Sequence, residues 1–178
     1  YKRQTKEGAA NNVTGKVVDK ADNEATTTLT VKLDKTAPQI SVTPQPASNE
    51  RGWHNGPVTL DYTCSDSLSG IASCTPYQLI ESEGAGQQYS GKAVDVAGNT
   101  SSTNITLNID RTAPTIDATV SPSANAAGWH KSDVTVTYNC NDALSGVLSC
   151  AQTTVVTTEA AAQNISGTVV DNANNSAS

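Results

Sequence analysis

Apolar and polar residues alternate with a period of two in Val58-Thr-Leu60-Asp-Tyr62-Thr-Cys64, and again in Val134-Thr-Val136-Thr-Tyr138-Asn-Cys140. Each segment has one apolar and one polar face, as a strand packed on one side does. Tyr89-Ser-Gly91-Lys-Ala93-Val-Asp95 predicts a second strand. After the turn Val96-Ala97-Gly98-Asn99, the run Ile105-Thr-Leu107-Asn-Ile109 predicts its hairpin partner. Shorter strands are expected at Gln39–Thr43, Ile71–Cys74 and Tyr77–Ile80. Pro38, Pro44, Pro46, Pro57 and Pro76 are placed at strand ends, where a missing N–H does least harm. Six or seven short strands without a helical stretch predict a small antiparallel β-sandwich.

The pattern recurs along the chain without a gap. Gly15, Gly91 and Gly167 fall in register, as do Asp19, Asp95 and Asp171, and Trp53 and Trp129. A period this long suits a self-contained domain copied in tandem rather than a solenoid unit. Residues 1–34 read as the C-terminal half of a preceding repeat and residues 35–110 as a complete repeat. Residues 111–178 read as a repeat lacking its last strand. The fold class expected is therefore all-β, as tandem small antiparallel β-sandwiches.

Composition sharpens this picture in two ways. A net charge of −6 argues against nucleic acid and against an anionic membrane surface, and no direct membrane insertion is expected in this window. A repeat as short as 35–110 also has a marginal core and needs a staple. The four cysteines supply one, as Cys64-x9-Cys74 and Cys140-x9-Cys150. One local disulfide per repeat would contribute about 2–3 kcal/mol and imply an oxidising, extracellular or cell-surface setting. Zinc is the weaker reading: there is no C-x2-C pair, and His54 and His130 are the only histidines.

The unit runs Asp-Lys-Thr-Ala-Pro, Gly-Trp-His, Cys-Ser-Asp-Ser-Leu-Ser-Gly-Ile-Ala-Ser-Cys, Glu-Gly-Ala-Gly-Gln and Val-Asp-Val-Ala-Gly-Asn. In this it resembles the bacterial immunoglobulin-like repeats strung through large surface and secreted proteins, adhesins among them. The resemblance implies a structural, extracellular role. Antibody domains tie their two sheets together with a widely spaced disulfide. The short spacing here predicts instead a bond between adjacent strands beside one loop.

The joints between repeats, Asp34-Lys-Thr-Ala-Pro38 and Asp110-Arg-Thr-Ala-Pro114, leave about four residues with a proline and no glycine, a stiff linker. In such a sandwich the loop between the second and third strands lies at the entry end, with the last hairpin turn. Asp34 should therefore approach Asp66 and Asp95, and Asp110 should approach Asp142 and Asp171. Three carboxylates, with backbone oxygens and an Asn oxygen from Asn99 or Asn175, would suit Ca²⁺ at the junction. The competing reading is turn chemistry alone, with each Asp accepting from backbone N–H groups.

Trp53 and Trp129 are expected to plug the open end of a core, with a sugar platform as the lesser reading. Asn12, Asn99, Asn104, Asn164 and Asn174 begin Asn-x-Ser/Thr triplets, expected by chance in so polar a chain. No nucleophile pattern surrounds the histidines and no Gly-rich phosphate loop follows a strand, so a non-enzymatic spacer or stalk is expected. The other readings are a glycan- or protein-binding accessory module of a secreted enzyme, and a filament subunit. In the filament, identical copies would assemble head to tail, the amino-terminal segment of one completing the last sandwich of the next.

Overall fold

Strands form where β-branched and aromatic side chains alternate, because those side chains fit a pleated, half-buried surface. A computed structural model describes residues 6–178 and shows an all-β protein, with no helix among the described residues. Residues 1–5 of the segment 1–34 lie outside them.

In chain order the strands are β1 (Gly8–Val18), β2 (Glu24–Leu33), β3 (Gln39–Gln45), β4 (Val58–Ser65), β5 (Ile71–Cys74), β6 (Gln78–Ile80), β7 (Gly84–Asp95) and β8 (Thr100–Ile109). They continue as β9 (Thr115–Ser121), β10 (Val134–Asn141), β11 (Val147–Cys150), β12 (Thr154–Val156), β13 (Val169–Asp171) and β14 (Ser176–Ala177). β1 and β2 make an antiparallel hairpin. Two small sheets follow, ordered β3-β4-β6 and β5-β7-β8. The same arrangement recurs as β9-β10-β12 and β11-β13-β14.

By compactness the chain divides into two units. The first comprises Tyr1–Thr43, Leu60–Gln78 and Tyr89–Ile105; the second comprises Pro44–Thr59, Leu79–Gln88 and Thr106–Ser178. In the first unit Leu60 and Ala93 are buried. The Tyr62 ring lies against Gly91 so closely that a Cβ there would meet Cε1 at 2.3 Å, so only glycine fits. In the second unit Val58, Leu107, Ile109, Val136 and Val169 are buried. His54 forms a parallel bridge to Ile109, and Gly167 lies under Tyr138 as Gly91 lies under Tyr62.

Several expectations are corrected. β7 begins at Gly84 and β8 at Thr100, each well before the apolar alternation starts at Tyr89 and Ile105. The stretches Gly84–Gln88 and Thr100–Asn104 carry no apolar stripe, and the ladder of their sheet supplies their order. Pro44 lies inside β3 rather than at its end. β3 is the edge of its sheet, where a proline removes no ladder bond.

The disulfides Cys64–Cys74 and Cys140–Cys150 are formed, but not within one sheet. Cys64 is on β4 and Cys74 on β5, which belong to different sheets; the same holds for β10 and β11. Strands adjacent in sequence thus cross between layers, and a short loop suffices for an inter-sheet bond. Trp129 does not act as a plug, being 59 % exposed, whereas Trp53 is half-buried.

Candidate functional site

The sharpest constellation lies where the chain leaves β2 and enters β3. Asp34, just past the end of β2, meets the β4–β5 loop and the β7–β8 turn. Asp34, Asp66 and Asp95 each offer a carboxylate oxygen, all lying within 4.8 Å of one another. In the second unit Asp110, Asp142 and Asp171 converge in the same way. The structure thus brings together all six acids that the sequence singles out, as two separate triads.

Each acid is held by hydrogen bonds its own sequence supplies. Asp66 Oδ1 accepts from Leu68 N at 3.1 Å and Gly70 N at 2.7 Å, an Asx-type loop closed by Gly70 at φ 83°. Asp142 Oδ1 accepts likewise from Leu144 N and Gly146 N. Asp95 Oδ1 accepts from Asn99 N and its Oδ2 from Asn99 Nδ2, both at 2.8 Å. Asp171 and Asn175 repeat this pair.

Asp34 is the bridging member. Its Oδ1 takes Thr36 N and its Oδ2 reaches across to Ser69 N, both at 3.0 Å. Asp110 does the same with Thr112 N and Ser145 N. The hydrogen bonding from Ser69 is the main cause holding the Asp34 carboxyl below its ordinary value; partial desolvation opposes it, and Thr36 N helps it.

The amides close the clasp. Asn99 Nδ2 donates to the carbonyls of Asp34 and Thr36, each at 3.3 Å, and Asn175 Nδ2 donates to the carbonyl of Asp110 at 2.9 Å. This corrects the expectation that Asn99 and Asn175 bring an oxygen to the triad: each presents its amide nitrogen. The connector is thereby tied to the sandwich it enters by two of that sandwich's loops, one through a backbone N–H and the other through an Asn side chain.

A second acid, which the sequence reading missed, grips the same connector. Glu7 Oε1 accepts from Lys35 N at 3.0 Å and its Oε2 from Thr36 Oγ1 at 2.7 Å. Glu83, the matching acid one repeat on, accepts from Arg111 N and from Thr112 Oγ1. The signal was present: Glu7 and Glu83 fall in register, each ahead of a Gly-Ala step. It was masked because a lone exposed glutamate usually faces solvent. No protein-family model matches the chain, and no curated protein matches it.

The triads have the donor chemistry of a hard-cation site. Three aspartates bring six oxygens, and Asp66 and Asp142 commit only Oδ1 to hydrogen bonds. Asp95, Asp110 and Asp171 are buried. Among the described residues the salt bridge is Lys16–Glu24, on the β1–β2 hairpin, and it involves none of the six triad acids. The hydrogen bonds alone also account for the position of every one of the six acids.

Proposed function

We propose that the chain is a structural array of immunoglobulin-like repeats, a spacer or stalk segment of a secreted or cell-surface protein. Its work is mechanical: each connector is clamped so that neighbouring repeats of one chain keep a fixed junction. One observation carries this reading. The clasp on residues 34–36 and the clasp on residues 110–112 use the same residue types at the same spacing, down to individual oxygen atoms. A turn that served only its own loop would have no reason to reach the incoming chain twice. The inter-sheet disulfides fit an oxidising compartment, and with it a role outside the cell. The bacterial immunoglobulin-like resemblance of the repeat belongs to the same reading.

Limited trypsin digestion tests the clasp, because Lys35 and Arg111 are exposed side chains inside the two connectors. The native chain should resist cleavage after both, and Asp110→Ala should open Arg111 selectively while Lys35 stays protected. Equal, rapid cleavage at both sites in the native chain would sink the reading.

Calcium is the second reading of the junction, favoured by the burial of Asp95, Asp110 and Asp171 with no salt bridge to a basic side chain among the described residues. A bound Ca²⁺ would draw its oxygens from the three carboxylates of each triad and offset their repulsion. Thermal melting should then rise in millimolar Ca²⁺ and fall back with EDTA, and Asp66→Asn should remove the rise at the first triad. Identical melting in both buffers would leave the hydrogen-bonded clasp as the whole junction.

A further inference from the structure

The loop between β3 and β4 is built on Asn49. Its Oδ1 accepts from Arg51 N at 2.9 Å and Trp53 N at 3.0 Å, and its carbonyl accepts from Gly52 N at 2.9 Å. Asn125 Oδ1 holds the matching loop one repeat on, accepting from Ala127 N and Trp129 N. The oxygen of Asn49 is thus used locally. Its nitrogen is not: Nδ2 donates at 2.8 Å to the carbonyl of Asn172, in the following repeat.

Asn172 stands in the β13–β14 turn between Asp171 and Asn175, and Asn175 Nδ2 holds the Asp110 carbonyl at 2.9 Å. Asn172 Nδ2 donates to Ser145 O at 2.8 Å and Gly146 O at 3.1 Å, and Ser145 N donates to Asp110 Oδ2 at 2.9 Å. The Asn49 loop is itself fastened to the end of β8. His54 N donates to Asn108 O at 3.0 Å, Asp110 N to His54 O at 2.9 Å, and Asn108 Nδ2 to Gly52 O at 3.2 Å. All of these residues belong to the second unit. The bonds therefore run from Asp110 through His54 to the Asn49 loop, across to Asn172, and back to Asp110 through Ser145 and Asn175. They close a ring.

A chain gripped at one point can still pivot about it, whereas a second bond away from that point removes the pivot. Members of one hydrogen-bond network also depend on each other, so a bond broken at one place is felt at the next. We propose, building on the clasp reading, that the Asn49 loop is a docking surface for the β13–β14 turn of the following repeat. Asn49 is the positioning residue that closes the ring and steadies the second clasp. The partner it fits is a turn whose carbonyl is held still by an Asn side chain. Val96 stands at the matching place one repeat earlier, 67 % exposed and with no amide to brace its turn. Both turns keep the same backbone bond, Val96 N to Gly70 O and Asn172 N to Gly146 O. The Asn172 amide is an addition to the turn, then, and not a condition for forming it.

Amide hydrogen exchange on the full chain tests this, with Trp53 reporting the loop and Ser145 the clasp. Asn49→Asp keeps Oδ1 for Arg51 N and Trp53 N and puts an acceptor where the donor was. Ser145 should then exchange about fivefold faster, as loss of one ordinary hydrogen bond implies, while Trp53 is unchanged. Asn172→Val should speed Ser145 likewise by cutting the brace to its loop. Asn125→Asp makes the same exchange in the matching loop and should leave Ser145 alone. An unchanged Ser145 in Asn49→Asp or Asn172→Val would overturn the proposal, as would an equal effect of Asn125→Asp. Equal acceleration at Trp53 and Ser145 in Asn49→Asp would reduce Asn49 to the keeper of its own loop and overturn it too. Fast exchange at Ser145 in the native chain would remove the clasp on Asp110 itself, whereas a protected native Ser145 leaves the clasp standing whatever the variants do.

Discussion

The turn at Asp19–Asn23 and the turn at Asp95–Asn99 are the same turn in two settings. Asp19 accepts from Asn23 N at 2.9 Å and Asn23 Nδ2 at 2.8 Å; Asp95 accepts the same two bonds from Asn99. The residue before each Asn is left-handed, Asp22 at φ 62° and Gly98 at φ 93°, and Asn174 repeats it at 71°. Asp, Gly and Asn are the types that tolerate that region at least cost. Yet Asp19 is exposed and belongs to no carboxylate triad among the described residues, while Asp95 is buried within reach of Asp34 and Asp66. The hydrogen-bonded turn is therefore a local product, needing neither metal nor neighbour. The triad is what is added when a second layer covers the hairpin and the incoming connector docks on it.

The strongest way to break this comparison is at the cover itself. Gly91→Ala drives a methyl into the Tyr62 ring, with Ile40 Cδ1 3.2 Å away on another side, and should cost about 3 kcal/mol. Gly15→Ala, on the uncovered hairpin, meets only Thr27 Cγ2 at 3.6 Å and should change stability little. Denaturant melts of the two variants measure the contrast; equal effects would mean that burial does not separate the two hairpins.

Next comes the acid. Asp95→Ala strands Asn99 N beside a buried site, leaves Asn99 Nδ2 only its longer bonds to the connector carbonyls, and should cost about 2 kcal/mol. Asp19→Ala should release Asn23 to water with a far smaller loss. Hydrogen exchange at the Asn99 and Asn23 amides reads each turn separately.

A titration sharpens the comparison further. Asp19 is held below its ordinary value chiefly by the Asn23 side chain, and Asp34 chiefly by Ser69. A depressed carboxyl adds stability that is complete above the ordinary carboxylate range and is lost as pH falls through the folded value. Acidification should therefore loosen both places. In Gly91→Ala, carboxyl NMR should show Asp34 drifting back up toward its ordinary value while Asp19 stays low, since only Asp34 depends on a distant partner. If Asp19 drifts with it, its turn is not local.

The smallest effect is expected at the covering ring. Tyr62 Oη and Tyr138 Oη are buried without a hydrogen-bond partner, and burial pushes the Tyr62 hydroxyl up. Tyr62→Phe keeps the packing over Gly91 and removes the orphan, so its melt should match or slightly exceed that of the native chain. A clear loss of stability would reveal a partner for the hydroxyl.

The sequence by itself determined whatever depends on near neighbours. The alternation in Val58–Cys64 specified β4, the Asp-x-x-x-Asn spacing its turns, and the gap-free register of the repeats the recurrence of both. The grouping of Asp34 with Asp66 and Asp95 was also legible, because strand order in a small sandwich leaves few ends at which those loops can lie. The tertiary structure decided what depends on which layer a strand joins. It placed Cys64 and Cys74 in different sheets, turned the Asn99 amide nitrogen toward the connector, and set Glu7 and Glu83 as its second grip. It also separated Trp53 from Trp129, each set between Gly and His, by covering one and leaving the other open. Local hydrogen bonds are written in spacing of a few residues; burial is a property of whatever lies on the far side of the core.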